Sequence, residues 1–281
     1  LEESAQDEFF SIVYDGHPAA KKIAGTVEDI EAATFPALCS FHEERFASGS
    51  MLVSVAGNVH PSKIAEQVAA AVPGARRPKT VDSARPVFRF CRNMKKGNGS
   101  QIYFVTGLPV DCDMSMDDFW NFSVISSCYG ESMSSRLFMK LREEKGLCYT
   151  VSSAVNVTSM SGLWGVSSST TPEMFPAFAE TYRELSGTLY SGGLPVTEIE
   201  EAISRMRGML SLAGDDPEYR MKRLARQFLY DGSVEAFEQT LQRFDCTRLD
   251  DMSCPVNIDR VHSLVRRYLD PAREKIGRAH V

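Results

Sequence analysis

From Cys148 to Val157, and again from Leu163 to Ser169, apolar and polar residues alternate with a period of two on either side of Ser161-Gly162. Alternation of this kind marks strands with one covered and one open face, and a short polar break joins two of them into an antiparallel hairpin. The segments around the hairpin change to helical spacing. Met116, Phe119, Trp120 and Val124 share one face, and Ser134 to Lys145 reads as another helix. Phe178, Tyr182, Leu185 and Leu189 line a helix opened by the capping box Thr170-Thr171-Pro172-Glu173 and closed by Gly192-Gly193. Thr197 and Glu200 form a second capping box ahead of Ile199, Ile203, Met206 and Leu210, and Asp216-Pro217 breaks that run before shorter helices continue to Leu269. Antiparallel strands beside blocks of helices define an α+β class.

Upstream, Pro36 to Phe46 reads as a helix, Ser50 to Val59 (SMLVSVAGNV) as a buried strand, and Ile64, Val68, Ala71 and Val72 as one face of a further helix. Strand-like stretches follow at Val87 to Phe90 and Ile102 to Thr106. From Gly74 to Arg85, ahead of these stretches, the composition shifts to Pro, Arg, Lys, Asp and Ser, which makes residues 76–86 the expected linker. A faint repeat is also present. Tyr14-Asp15-Gly16 recurs as Tyr230-Asp231-Gly232, and each copy is followed by an amphipathic helix. The first helix runs into MLVSVAG and the second into Asp270-Pro271 with no strand, so a duplication would leave the second copy one strand short.

Composition narrows the function classes. With 281 residues, 43% hydrophobic and 24% charged, the chain has the makeup of about two globular domains. The balance of 31 Lys and Arg against 37 Asp and Glu gives −6 with no basic stripe, which disfavours a nucleic-acid partner. No apolar run reaches the roughly 18 residues of a membrane-spanning helix, so no membrane role is expected. Seven cysteines form no C-x-x-C pair, which disfavours a disulfide framework and leans towards a reducing, cytoplasmic compartment. The first residue is Leu1 rather than Met, so a preceding segment is expected.

Most signatures of catalytic chemistry do not occur in the sequence. A helical zinc site needs two His four residues apart with a Glu beside them, and His42-Glu43-Glu44 has Phe46 and Leu38 at the flanking positions. G-x-S-x-G, the P-loop and G-x-G-x-x-G do not occur. Adjacent acids such as Glu143-Glu144 and Asp215-Asp216 read as solvated surface. One stretch differs in kind: SSRLFMKLREEKGLCYTVSS ends a helix at Gly146 and turns back into a strand, so Arg142 and Tyr149 can reach one space. From the residues alone two arrangements stay open. The pair could donate hydrogen bonds to carbonyls of an extended peptide, or Arg142 could pair with Glu144 or an Asp while Tyr149 packs into the sheet.

The stretch YGESMSSRLFMKLREEKGLCYTV resembles a signature of the insulinase/pitrilysin family of zinc metallopeptidases, the inverzincins, which includes the mitochondrial processing peptidase. GHPAAKKIAGTVEDIE followed by FHEERFASGSMLVSVAGNV is similar to a second family segment. The resemblance implies two homologous α+β domains, of antiparallel sheet packed with helices, facing each other across a peptide-holding chamber. Residues 1–75 would be the rear of the first domain without its zinc helix, and 87–275 the second, substrate-clamping domain. Residues 276–281 (IGRAHV ends the chain) read as a non-native tail.

By the same resemblance the zinc-binding H-x-x-E-H and the third-ligand Glu precede His17, so no catalytic or metal-ligating residue is assigned to this chain, although the intact enzyme would carry zinc. Arg142 and Tyr149 would hold the substrate carbonyl. Ser132 departs from the family pattern, where Gly is usual after Gly130-Glu131. The implied function is a fragment of a zinc-dependent endopeptidase acting on extended or unfolded peptides and inactive by itself. The alternative is a non-catalytic peptide-binding subunit of a heteromeric peptidase. Its partners would be peptide or unfolded protein, with a homo- or heterodimer also allowed.

Overall fold

In the computed structural model of the protein, residues 2–44, 51–71, 84–90, 93–95, 100–245, 249–251, 253–273 and 277–280 are described. The strands are β1 (Met94–Lys95), β2 (Ile102–Val110), β3 (Thr150–Val157), β4 (Gly162–Thr170) and β5 (Gly277–His280). The helices are α1 (Glu2–Val13), α2 (Val27–Ala32), α3 (Phe35–His42), α4 (Pro61–Ala71), α5 (Met116–Ser126), α6 (Phe175–Gly192), α7 (Val196–Ala213), α8 (Pro217–Asp231), α9 (Phe237–Gln242) and α10 (Ile258–Tyr268). Two π-helical segments, Ser127–Glu131 and Phe138–Glu144, follow α5. The class is α+β.

The alternating runs pair as an antiparallel hairpin, with Thr150 opposite Ser169 and Val157 opposite Gly162. Thr158 closes the turn, its N–H donating to Ser161 O at 2.8 Å. β4 also pairs antiparallel with β2, from Ile102 opposite Thr170 to Val110 opposite Gly162. Among the described residues the sheet order is β1-β5-β2-β4-β3, which leaves β3 at one edge. No strand was expected from the tail, yet residues 277–280 form β5, antiparallel to β2 and parallel to β1.

Period two places Phe104, Thr106 and Leu108 of β2 on the same face as Trp164 and Val166 of β4, all at most 2% exposed. The helices supply the other half of this core. Phe104 meets Phe178 and Tyr182 of α6 edge-to-face at 5.3 and 5.2 Å, and Phe122 of α5 lies 5.8 Å from Tyr268 of α10. Burying one such ring stabilises by about 1.5–3 kcal/mol. On the opposite sheet face, Phe9, Val13 and Tyr14 of the α1 region pack on Leu163.

Two compact units result. One comprises Leu1–Lys21, Arg85–Met209 and Glu238–Val281, and the other Lys22–Ala84 and Leu210–Phe237. Within the first unit α1 packs on β4, and within the second the Ser54 hydroxyl donates to Met221 O of α8 at 2.8 Å. Most of the expected linker, residues 76–83, lies outside the described residues. Both copies of Tyr-Asp-Gly carry a glycine with positive φ, Gly16 at 85° in the turn after α1 and Gly232 at 68° at the C-cap of α8.

Several local expectations change. Residues 51–56 form no helix or strand and belong to no ladder among the described residues, and Met51, Leu52, Val53 and Val55 stay 38–46% exposed. A strand is completed only by a neighbour that accepts and donates its backbone hydrogen bonds. Val87 to Phe90 likewise forms no strand; Arg89 N–H donates to Val13 O at 2.8 Å instead. α7 begins at Val196, so Thr197 lies inside its first turn, and the Pro195 carbonyl accepts from Ile199 N–H at 3.2 Å.

Candidate functional site

The helix expected over Ser134 to Lys145 begins at Arg136 and is π-helical from Phe138 to Glu144. Leu137 and Leu141 are fully buried and fix its inner side. Its end is set by two backbone bonds, Gly146 N–H to Arg142 O at 3.1 Å and Leu147 N–H to Leu141 O at 2.7 Å. Gly146 has φ 60°, a left-handed conformation that lets the chain reverse at once. The Thr170 hydroxyl then donates to Leu147 O at 2.6 Å, and Tyr149 N–H donates to Ser169 O at 3.1 Å. The chain is therefore already held against β4 when β3 starts.

This reversal brings Arg142 and Tyr149 together. The Arg142 guanidinium carbon lies 5.5 Å from the centre of the Tyr149 ring and 4.6 Å from that of Phe138. Arg142 pairs with an acid other than the expected Glu144: its Nε lies 3.7 Å from Glu143 Oε1, while Glu144 pairs with Lys140, and Tyr149 is 72% exposed rather than packed into the sheet. The sequence places Phe138 on one helical face with Leu137 and Leu141 and gives it no part in the site; its i,i+4 spacing to Arg142 is the available signal. Beneath the pair, burial pushes the Cys148 thiol up, opposed by a hydrogen bond to Ser168 and by the Arg142 charge. Beside it, paired hydroxyls run across the hairpin, Thr150 with Ser169 at 2.9 Å and Ser152 with Ser167 at 3.0 Å.

The turn before the second π-helix is packed closely. A Cβ on Gly130 would sit 2.8 Å from both the Ser153 nitrogen and its hydroxyl, so only glycine allows this approach to β3. The Ser132 hydroxyl donates to Ser127 O at 3.0 Å, which gives this departure from the family pattern a role in closing the turn. Burial raises the Glu131 carboxyl, opposed by the Arg205 charge. Burial pushes the Cys128 thiol up to about 12, with the Glu198 charge adding to the rise.

Among the described residues no group of three or more His, Cys, Asp or Glu is arranged to hold a metal ion. No helix among them is long and apolar enough to cross a membrane.

An exposed cation is thus held over an aromatic ring beside an edge strand of an α+β scaffold. The family model described as "Peptidase M16 inactive domain" matches residues 32–206, more than half of the chain, and the chain belongs to this peptidase family. It is 28% identical over 276 residues to an uncharacterized zinc protease of Mycobacterium leprae, covering 96% of this chain and 60% of that protein. It is 24% identical to the uncharacterized zinc protease YmxG of Bacillus subtilis, covering 90% of this chain and 60% of that one. The chain thus spans about 60% of the length of these relatives. Among solved structures, a peptidase M16 inactive domain from Pseudomonas fluorescens matches with a TM-score of 0.79 at 20% identity, over 99% of this chain and 65% of that one. A protease from Helicobacter pylori matches with a TM-score of 0.76 at 14% identity, over 97% and 65%. These structural likenesses carry the fold alone.

Proposed function

We propose that the chain is the substrate-holding part of a zinc-dependent endopeptidase that cleaves extended or unfolded peptides in a chamber between two homologous domains. The observation that carries this reading is the joint position of Arg142 and Tyr149 next to edge strand β3. The guanidinium and the phenol are both donors, 38% and 72% exposed, and a backbone carbonyl of a passing peptide is the acceptor they suit. An extended peptide keeps its carbonyls available, and an edge strand offers unpaired backbone groups beside them. A charged donor on a carbonyl contributes about 1.5–3 kcal/mol and a neutral one about 1 kcal/mol. No step of bond cleavage is assigned to these residues, and the chain alone is expected to bind without hydrolysing.

A second reading, a non-catalytic peptide-binding partner subunit, draws support from the description of the matched family model as an inactive domain. Both readings place the peptide on the same two side chains. The test is fluorescence anisotropy with fluorescein-labelled β-casein, an unfolded polypeptide. The wild-type chain should bind it with an affinity that a metal chelator leaves unchanged. Arg142→Met should weaken binding about tenfold and Tyr149→Phe about fivefold. Equal affinity in wild type and both variants would overturn the proposal, and chelator-sensitive hydrolysis by the chain alone would contradict its expected inactivity.

A further inference from the structure

The second π-helix can present Arg142 to Tyr149 only if the turn ahead of it, residues 132–135, is held in place. That turn, Ser-Met-Ser-Ser, is closed by its own bonds, the Ser132 hydroxyl to Ser127 O at 3.0 Å and Ser135 N–H to Ser132 O at 3.0 Å, and Met133 is 79% exposed. Its further fixed points come from α7. Glu198 and Arg205 lie seven residues apart, close to two helical turns, and therefore project from one side of that helix. Ile199, Ala202 and Ile203, all buried, hold α7 against the core.

Each of the two charges grips one flank of the turn. Arg136, at the start of the second helical segment, donates from Nε to Glu198 Oε2 at 2.8 Å and from Nη2 to Oε1 at 3.1 Å, a two-point pairing that fixes direction as well as distance. Arg205 bridges the other flank: Nη2 donates to the Ser127 hydroxyl at 3.0 Å and to Ser127 O at 3.5 Å, while Nη1 donates to the Ser134 hydroxyl at 3.2 Å. One guanidinium thus ties the beginning of the first π-helix to the end of the turn. Leu137 and Leu141 set which way the second π-helix faces. The two grips from α7 set how far along its axis Arg142 is carried.

We infer that Arg205, together with Glu198, is a positioning residue that holds Arg142 in register with Tyr149 by clamping the 132–135 turn to α7. This rests on the peptide-holding reading above. The competing account is that the two grips only stabilise the fold, in which case their loss would act independently of Arg142.

A double-mutant cycle on fluorescein-labelled β-casein binding by the 281-residue chain separates the two accounts. Arg205→Met should weaken binding about fivefold in the wild-type background and add no further loss in an Arg142→Met background. Arg205→Lys, which keeps a charged donor, should recover binding to within about twofold. Without peptide, the Tyr149 ring carbon resonances in Arg205→Met should move towards their positions in Arg142→Met. The same fold-loss from Arg205→Met in both backgrounds, or no loss in the wild-type background, would overturn the inference while leaving the peptide-holding reading intact. If Arg142→Met itself leaves binding unchanged, the reading fails and takes this inference with it. Should Arg205→Met melt before it can be measured, Glu198→Gln, which keeps the shape and weakens the grip on Arg136, replaces it in the same cycle with the same criteria.

Discussion

The guanidinium of Arg142 and the ring of Tyr149 face each other at 5.5 Å across the Gly146 reversal, one from the end of a π-helix and the other from the entry to an edge strand. A cation over an aromatic face is attracted by about 0.5–1 kcal/mol at an exposed site. The planar guanidinium can do this and still present N–H groups to a third party. An ammonium has the charge but not the flat fork. Arg142→Lys should therefore weaken β-casein binding about threefold while changing urea-unfolding stability by less than about 0.5 kcal/mol. Anisotropy and urea titration on the same preparation check both halves.

Two glycines make opposite predictions for one substitution. Gly130→Ala must push a methyl group against the Ser153 backbone and hydroxyl at 2.8 Å, and overpacking of this kind costs about 1–3 kcal/mol. Gly187, inside α6, has open space around its missing Cβ, so Gly187→Ala should stabilise by about 0.5–1 kcal/mol. Urea midpoints that shift in opposite directions are the expected result.

Alkaline pH should act through Cys128. Its thiol titrates near 9 when unfolded and near 12 when buried in the fold, so the unfolded chain releases this proton first as pH rises. The native state then loses stability between those two values, by up to about 1.4 kcal/mol per pH unit from this group. Below the unfolded value the full contribution is present. Cys128→Ala should flatten the fall in stability measured by urea unfolding between about pH 9 and pH 10.5. An unchanged slope would remove Cys128 from the account.

The segment 51–56 should be tolerant of polar change. Val53 is 46% exposed and pairs with no strand among the described residues, so Val53→Thr should alter stability by less than about 0.5 kcal/mol. A buried strand at this position would instead lose more than 1 kcal/mol, since a hydroxyl would enter the core. Thermal melts of the two chains distinguish these outcomes.

That segment also shows where the sequence stops informing. MLVSVAG has the composition of a buried strand, but pairing depends on a neighbour that local pattern does not specify. The β3–β4 hairpin was legible because both partners and their turn lie within one short stretch. α6 was legible because Phe178, Tyr182 and Leu189 mark one face and Gly193 stops it. Arg142 and Tyr149 could be placed together because a single glycine reversal joins them. The grip of Arg205 on Ser134 spans 71 positions and left no local trace. The π-helical winding was equally hidden, because its apolar spacing over a few residues matches that of an ordinary helix.

The central claim is that Arg142 and Tyr149 jointly hold a peptide carbonyl. The most direct measurement follows the ring resonances of Tyr149, assigned by Tyr149→Phe, in a chain labelled with carbon-13 tyrosine as unlabelled β-casein is added. The account predicts a saturable shift of the Tyr149 signals, with the same dissociation constant as anisotropy and largely lost in Arg142→Met. Casein binding that leaves the Tyr149 signals in place, or an equal shift without Arg142, would contradict it.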